Sequence, residues 1–245
     1  MLMQEAIDQF YLACKVNNIS QRTMNGYEFN LKNFVEIVGN IPVHELTANH
    51  VRMFIANQMG RKHMRTGAPL SSQTINKSYA VVRAFCRWMV NEGLISTSPT
   101  DRTQPPRVDY DLPEALTKEE IRNIFHYLEI TRNFRDKVLF EFFLDTGCRV
   151  AEVANLTLDD IHIVEGWAKV KGKGRKEGIV PLGNKLCSDL HLYISMYRIA
   201  PEDEKSLFVS SVAPHKGLTR DGISSLVKRV HKAVGVKGKY GPHKL

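Results

Sequence analysis

The residues best suited to chemistry lie between Thr146 and Leu182. The stretch opens Thr146-Gly147-Cys148-Arg149-Val150-Ala151-Glu152 and crosses Trp167-Ala168-Lys169-Val170 as an alternating strand. It turns through Lys171-Gly172-Lys173-Gly174-Arg175-Lys176-Glu177-Gly178 and returns as Ile179-Val180-Pro181-Leu182. Arg149 enters a helix just after a glycine and Glu152 follows three residues on, so guanidinium and carboxylate point from one face. Lys173 stands between two glycines at a strand end, where a hairpin tip would push its ammonium into a cleft. A guanidinium fork grips oxyanions bidentately, and a desolvated ammonium can give up its proton. Each half also has a plainer reading. An Arg/Glu pair three apart is usually a solvated helix pair of little energetic worth. A glycine-rich basic turn is usually a solvated hairpin. It is not a nucleotide-cradling loop, because Gly166 falls one position too early and Gly174 follows the lysine where Ser or Thr is needed.

The elements that must position these groups belong to a chain of 245 residues, long enough for one large domain or two modest ones. Apolar residues make up 43% and charged residues 24%, an ordinary balance for a soluble globular protein. The net charge of +8 favours a polyanionic partner, nucleic acid first. Residues 1–98 carry ten Lys/Arg against six Asp/Glu, and residues 99–245 carry 24 against 20, so both parts are drawn to the same anion. Cys14, Cys86, Cys148 and Cys187 are widely spaced, without metal-ligand spacing, which points to buried free thiols in a reducing cytoplasm. No apolar run reaches the length of a membrane span, and the start Met1-Leu2-Met3-Gln4-Glu5 has no basic-then-apolar signal.

The first hundred residues read as four helices: one over about Gln4–Asn17, and others starting at Ser20, Thr47 and Ser71. Each of the last three has a capping hydroxyl flanked by a stapling pair, namely Ile19 with Met24, Leu46 with Val51, and Leu70 with Ile75. Apolar spacing buries Met24, Tyr27, Leu31, Phe34 and Val38 on the second helix, and Ile75, Tyr79, Val82, Cys86 and Met89 on the fourth. Their polar faces carry Arg22, Asn25 and Lys32, then Gln73, Lys77, Arg83 and Arg87. A solvated face normally mixes signs, yet acids are scarce on the fourth helix before Glu92, which favours phosphate contact. Ser96–Pro113, with several prolines and no periodicity, reads as a linker. Beyond it, Thr117-Lys118-Glu119-Glu120 opens a helix by a capping box with Leu116 and Ile121 as staple. A strongly apolar helix (Val138, Leu139, Phe142, Phe143) then delivers Thr146-Gly147. After the hairpin the sequence predicts a helix over about Asn184–Arg198, a short strand Leu207-Phe208-Val209, and a basic helix over about Thr219–Val234.

Taken together, these residues resemble the tyrosine recombinases of the phage-integrase family, over essentially the whole chain. Thr146–Glu152 with Leu156-Thr157-Leu158-Asp159-Asp160-Ile161 is similar to the family's first arginine box, with Cys148 where an aliphatic residue is commoner. Gly172-Lys173-Gly174-Arg175-Lys176-Glu177 before Val180-Pro181-Leu182 resembles the hairpin that carries the catalytic lysine; Gly178 replaces a basic residue often found there. Gly241-Pro242-His243-Lys244-Leu245 is similar to the start of the second box. The resemblance implies a mainly α fold with a small antiparallel β-sheet. A SAM-like four-helix core-binding domain (1–96) and a linker (97–113) would precede an α+β catalytic domain (114–245), incomplete at its C-terminus.

The reaction so implied is transesterification of a DNA phosphodiester through a 3′-phosphotyrosyl link, with no metal and no cofactor. Arg149 would bind the non-bridging oxygens and Lys173 would protonate the leaving 5′-oxygen. His243 would hydrogen-bond the phosphate, and Glu152 would hold Arg149 or His243 in place. Arg22, Lys32, Lys77, Arg83, Arg87, Lys171, Arg175 and Lys176 would contact DNA phosphates, the two domains clamping double-stranded DNA. The second arginine and the tyrosine of the family would follow Leu245, and Tyr240 lies on the wrong side of its box. The expectation is therefore a chain that binds DNA without cleaving it. The family acts as a homo-tetramer on DNA; this chain is expected to be a cytoplasmic monomer. The alternative is a naturally truncated, non-catalytic DNA-binding protein that occupies recombination sites. A helical transcription regulator would not need Arg149, Lys173 and His243 to converge.

Overall fold

The computed structural model describes residues 1–64, 66–108, 115–172 and 177–236. The chain divides into two compact units, Met1–Asp111 and Leu112–Leu245.

The first unit is built by α1 (Met3–Val16), α2 (Gln21–Val38), α3 (Ala48–Gly60) and α4 (Ser72–Asn91). Three of these start where a hydroxyl residue stands at the N-cap. The Ser20 and Ser71 hydroxyls accept from Thr23 N–H and Thr74 N–H, and Thr47 occupies the cap of α3. Apolar residues one helical turn apart bring Phe10, Phe34, Phe54 and Phe85 into one core. Phe34 meets Phe54 edge-on at 5.2 Å, and Phe10 meets Phe85 at 5.6 Å. Tyr27 and Val38 of α2, expected in the core, are only half-buried at its margin. Phe85, passed over in the helical pattern of α4, is fully buried.

The expected linker differs from its sequence reading. Its first part is folded onto the first unit: Pro99–Arg102 forms a 3₁₀ turn, and Ser98, Pro99 and Thr100 are buried. The Tyr79 hydroxyl reaches Thr100 O and Thr103 O, at 3.4 and 3.1 Å, and Asn76 Nδ2 donates to Pro106 O at 3.1 Å. Proline-rich composition fixes φ and removes donors; it does not by itself make a chain free when a neighbouring helix offers hydrogen bonds.

The second unit is organised around α6 (Phe134–Thr146), apolar on several sides and buried through Val138, Leu139, Phe140, Phe142 and Phe143. Helix α5 (Lys118–Ile130) begins at the expected capping box: Glu120 N–H donates to the Thr117 hydroxyl and Thr117 N–H to the Glu120 carboxylate. The short α7 (Val150–Ala154) leads to an antiparallel sheet of β1 (Ile161–His162), β2 (Trp167–Lys171) and β3 (Glu177–Pro181), in the order β1-β2-β3. In register, Ala168 faces Val180 and Lys171 faces Glu177. Alternation sends Ala168 and Val170 into the core and leaves Lys169 and Lys171 on the other face.

Helix α8 (Asn184–Leu192) continues into a π turn, Tyr193–Tyr197, and α9 (Arg220–Ala233) closes the unit. The predicted strand Leu207–Val209 is instead a buried segment that bends at Leu207 and Phe208, between isolated bridges at Ser206 and Val209. Leu207 N–H donates to Leu156 O on one side, while Phe208 O accepts from Leu218 N–H on the other, both at 2.8 Å. Its three residues are all buried, so packing on both flanks replaces the period-2 pairing of a half-buried strand. No described helix is long and apolar enough to cross a membrane.

Candidate active site

Gly147 ends α6 in the left-handed region at φ 63°, its N–H donating to Phe143 O at 2.9 Å. A side chain there would be strained, so glycine lets the chain leave a buried helix sharply and present the next residues to solvent. The Thr146 hydroxyl folds back to Phe142 O at 2.6 Å and accepts from Cys148 N–H at 3.3 Å, fixing the turn. Burial pushes the Cys148 thiol above its ordinary range, so it stays protonated at neutral pH.

Arg149 is not inside a helix, as its spacing suggested, but is the extended residue that caps α7. Glu152 reaches back to it twice: Oε2 accepts from the Arg149 N–H at 2.7 Å and Oε1 from its Nη1 at 2.9 Å. One carboxylate thus satisfies an orphan helix donor and orients a guanidinium. The burial is unequal, with the Arg149 side chain 75% exposed and that of Glu152 only 11%. A fixed carboxylate beneath an open guanidinium leaves Arg149 donors free for an incoming oxyanion.

The β2–β3 hairpin stem supplies the second group of charges. Lys169 Nζ lies 2.7 Å from Glu177 Oε2, and Lys171 Nζ lies 3.9 Å from Asp160 Oδ1. Asp160, missed as a functional residue by the sequence reading, is buried, and its Oδ2 accepts from Thr157 N–H at 2.9 Å and from the Thr157 hydroxyl at 2.7 Å. Burial raises this carboxyl, but the Thr157 donors and the two lysines outweigh it, so it titrates below the usual carboxylate range. The signal was present in Thr157-Leu158-Asp159-Asp160, a hydroxyl followed three residues later by an acid. Lys173, Arg175, Lys176 and His243 lie outside the described residues, as does Tyr240.

In the first unit, Arg22 and Lys32 on α2 and Lys77, Arg83 and Arg87 on α4 are all exposed. No ion pair to a carboxylate is found for any of these five among the described residues. Among the described residues the two units therefore differ: the five cations on α2 and α4 have no carboxylate partner, whereas Lys169 and Lys171 of the hairpin stem are matched to acids.

Comparison with known proteins places this geometry. Residues 114–245 match the phage integrase family, and residues 7–96 match its N-terminal SAM-like domain. The chain is 28% identical over 253 residues to tyrosine recombinase XerD of Oceanobacillus iheyensis, covering all of this chain and 82% of that protein. It is 27% identical to tyrosine recombinase XerC of Proteus mirabilis, covering 98% of this chain and 77% of the relative. Among solved structures, a lambda integrase (75–356) dimer bound to a COC′ core site superposes over the whole chain and 86% of its own, with a TM-score of 0.77 at 17% identity. XerH bound to a palindromic difH substrate gives 0.70 at 19% identity, over 97% of this chain and 70% of its own. At such identities the superpositions establish the fold. With more than half of its residues matched by the catalytic-domain family, the chain belongs to the phage integrase family of tyrosine recombinases.

Proposed function

We propose that this chain is the DNA-engaging body of a site-specific recombinase that binds double-stranded DNA through both units. The observation that carries the reading is Arg149, a solvent-facing guanidinium at the mouth of α7 whose direction is fixed by the buried Glu152. Arg149 takes the non-bridging oxygens of the scissile phosphate, where charge accumulates as the attacking oxygen approaches. Glu152 is a positioning residue behind it. Lys173 gives its proton to the departing 5′-oxygen and His243 hydrogen-bonds the same phosphate. Arg22, Lys32, Lys77, Arg83 and Arg87, with Arg175 and Lys176, hold the flanking backbone. The relatives named XerC and XerD, and the neighbours solved on core-site and difH DNA, support a duplex partner.

Phosphodiester exchange in this scheme is isoenergetic. A tyrosine oxygen bonds to phosphorus as the 5′-oxygen leaves, and a second 5′-hydroxyl reverses the step. A polypeptide limited to residues 1–245 is proposed to bind duplex DNA as a monomer and to form no covalent adduct; tetramers on paired sites belong to the strand-exchange stage. Fluorescence anisotropy of a labelled duplex tests the reading. Affinity should fall by about 10³-fold or more between 50 and 200 mM salt if six or more phosphates are neutralised. A flat salt dependence, or a protein–DNA adduct trapped on a nicked suicide substrate by this polypeptide, would overturn it.

A further inference from the structure

Strand alternation places Lys169 and Lys171 on one face of β2, opposite the core residues Ala168 and Val170. Two ammoniums side by side on one face of a strand would ordinarily add contacts to DNA phosphate regardless of sequence. Each has a carboxylate set against it instead. Glu177 stands opposite Lys171 in the ladder, yet its carboxylate is taken by Lys169 at 2.7 Å. That leaves Lys171 to Asp160, which cannot swing away because Thr157 fixes its other oxygen through both N–H and hydroxyl. With both lysines partly exposed, these pairs add little to stability, so their effect falls on what the lysines can reach. The cations of α2 and α4 have no such partners among the described residues.

We propose that Asp160 and Glu177 are counter-charges that hold Lys171 and Lys169 back from DNA phosphate, limiting how strongly the hairpin stem binds DNA of any sequence. This rests on the DNA-binding reading above and revises the expectation that Lys171 is a phosphate contact. Phosphate contacts carry no base information, so muting them at the stem leaves discrimination to the rest of the interface.

The test compares the whole chain with Asp160→Asn, Lys171→Gln and the double variant, by anisotropy on one duplex across a salt series. Lys171→Gln alone should change affinity less than about twofold, because a held lysine makes no phosphate contact to lose. Asp160→Asn should tighten binding several-fold and steepen the log–log salt slope by about 0.9, the share of one released lysine. The double variant should return to the parent values. Glu177→Gln with Lys169→Gln repeats the cycle at a side chain that is 51% exposed and accepts from no backbone group among the described residues, should Asp160→Asn disturb the Thr157 turn. A tenfold loss from Lys171→Gln alone, or a gain from Asp160→Asn that survives in the double variant, overturns the proposal. Retention on immobilised heparin separates the two layers, since any polyanion reports a freed lysine. A heparin shift that follows the cycle without duplex binding by the parent retains the counter-charge and rejects the DNA reading. Normal duplex binding with no shift on either ligand rejects the counter-charge alone, and neither binding nor shift rejects both.

Discussion

Glu152 performs two tasks with one carboxylate, and the tasks separate by substitution. Glu152→Ala leaves the Arg149 N–H without its acceptor beside a buried helix start, and should cost about 1–3 kcal/mol in urea denaturation. Glu152→Gln keeps an oxygen for that N–H and should cost less than about 1 kcal/mol. It nevertheless removes the charge that steers the guanidinium, so DNA affinity should fall more than stability does. Glu204 makes a second residue-scale case. Its oxygens accept from Ser206 N–H and Gly217 N–H, each at 2.9 Å, and the Ser206 hydroxyl, with these two backbone donors, brings its pKa down to about 2. A depressed carboxyl contributes stability that is complete above its unfolded value, about 4.3, and is lost as pH falls toward 2. Glu204→Gln should therefore flatten the acid limb of a urea-midpoint profile between those values and leave the slope above pH 5 unchanged.

Among the elements, the joint between α6, α9 and the Leu207–Val209 segment stands on one buried acid. Asp136 is fully buried; Arg135 Nε meets its Oδ1 at 2.7 Å, and Arg229 Nη2 of α9 lies 3.5 Å from its Oδ2. Arg135 also donates to Val209 O at 2.9 Å. Burial lifts the Asp136 carboxyl above its usual range against the pull of Arg135 and Arg229. Asp136→Ala would strand the Arg135 guanidinium in the interior and should destabilise by about 3–5 kcal/mol, read by chemical denaturation. Gly217 is a second structural joint. A Cβ added there would fall 2.1 Å from Ser206 Oγ and 2.7 Å from Ser206 Cβ. Gly217→Ala should cost about 1–3 kcal/mol from overpacking, and Ser206→Gly in the same chain should recover part of it. None of this was legible in the sequence, because Asp136, Val209 and Arg229 are far apart along the chain. What was legible is local: hydroxyls at Ser20, Thr47, Ser71, Thr117 and Thr219 mark helix starts within a turn of where the helices begin. Arg149 and Glu152 could be paired from spacing alone, whereas the Asp160 partner of Lys171 depended on how β2 folds back over the 3₁₀ turn Leu158–Asp160.

For the whole molecule, each unit closes its own apolar core, one centred on Phe10, Phe34, Phe54 and Phe85 and the other on α6. A fragment of residues 1–108 should therefore remain helical by circular dichroism and melt cooperatively; a featureless melt would show that the first core needs the second unit. The chain's two tryptophans fall one to each unit. Trp88 stacks beside Phe85 at 6.1 Å in the first core, and Trp167 of β2 lies flat against the His162 imidazole at 3.6 Å. The second indole thus sits on the strand that carries Lys169 and Lys171, with an aromatic neighbour able to alter its emission. Replacing Trp88 by Phe would leave Trp167 as the single tryptophan, and its emission, excited to the red of the eight tyrosines, would report occupancy at the hairpin base without an attached dye.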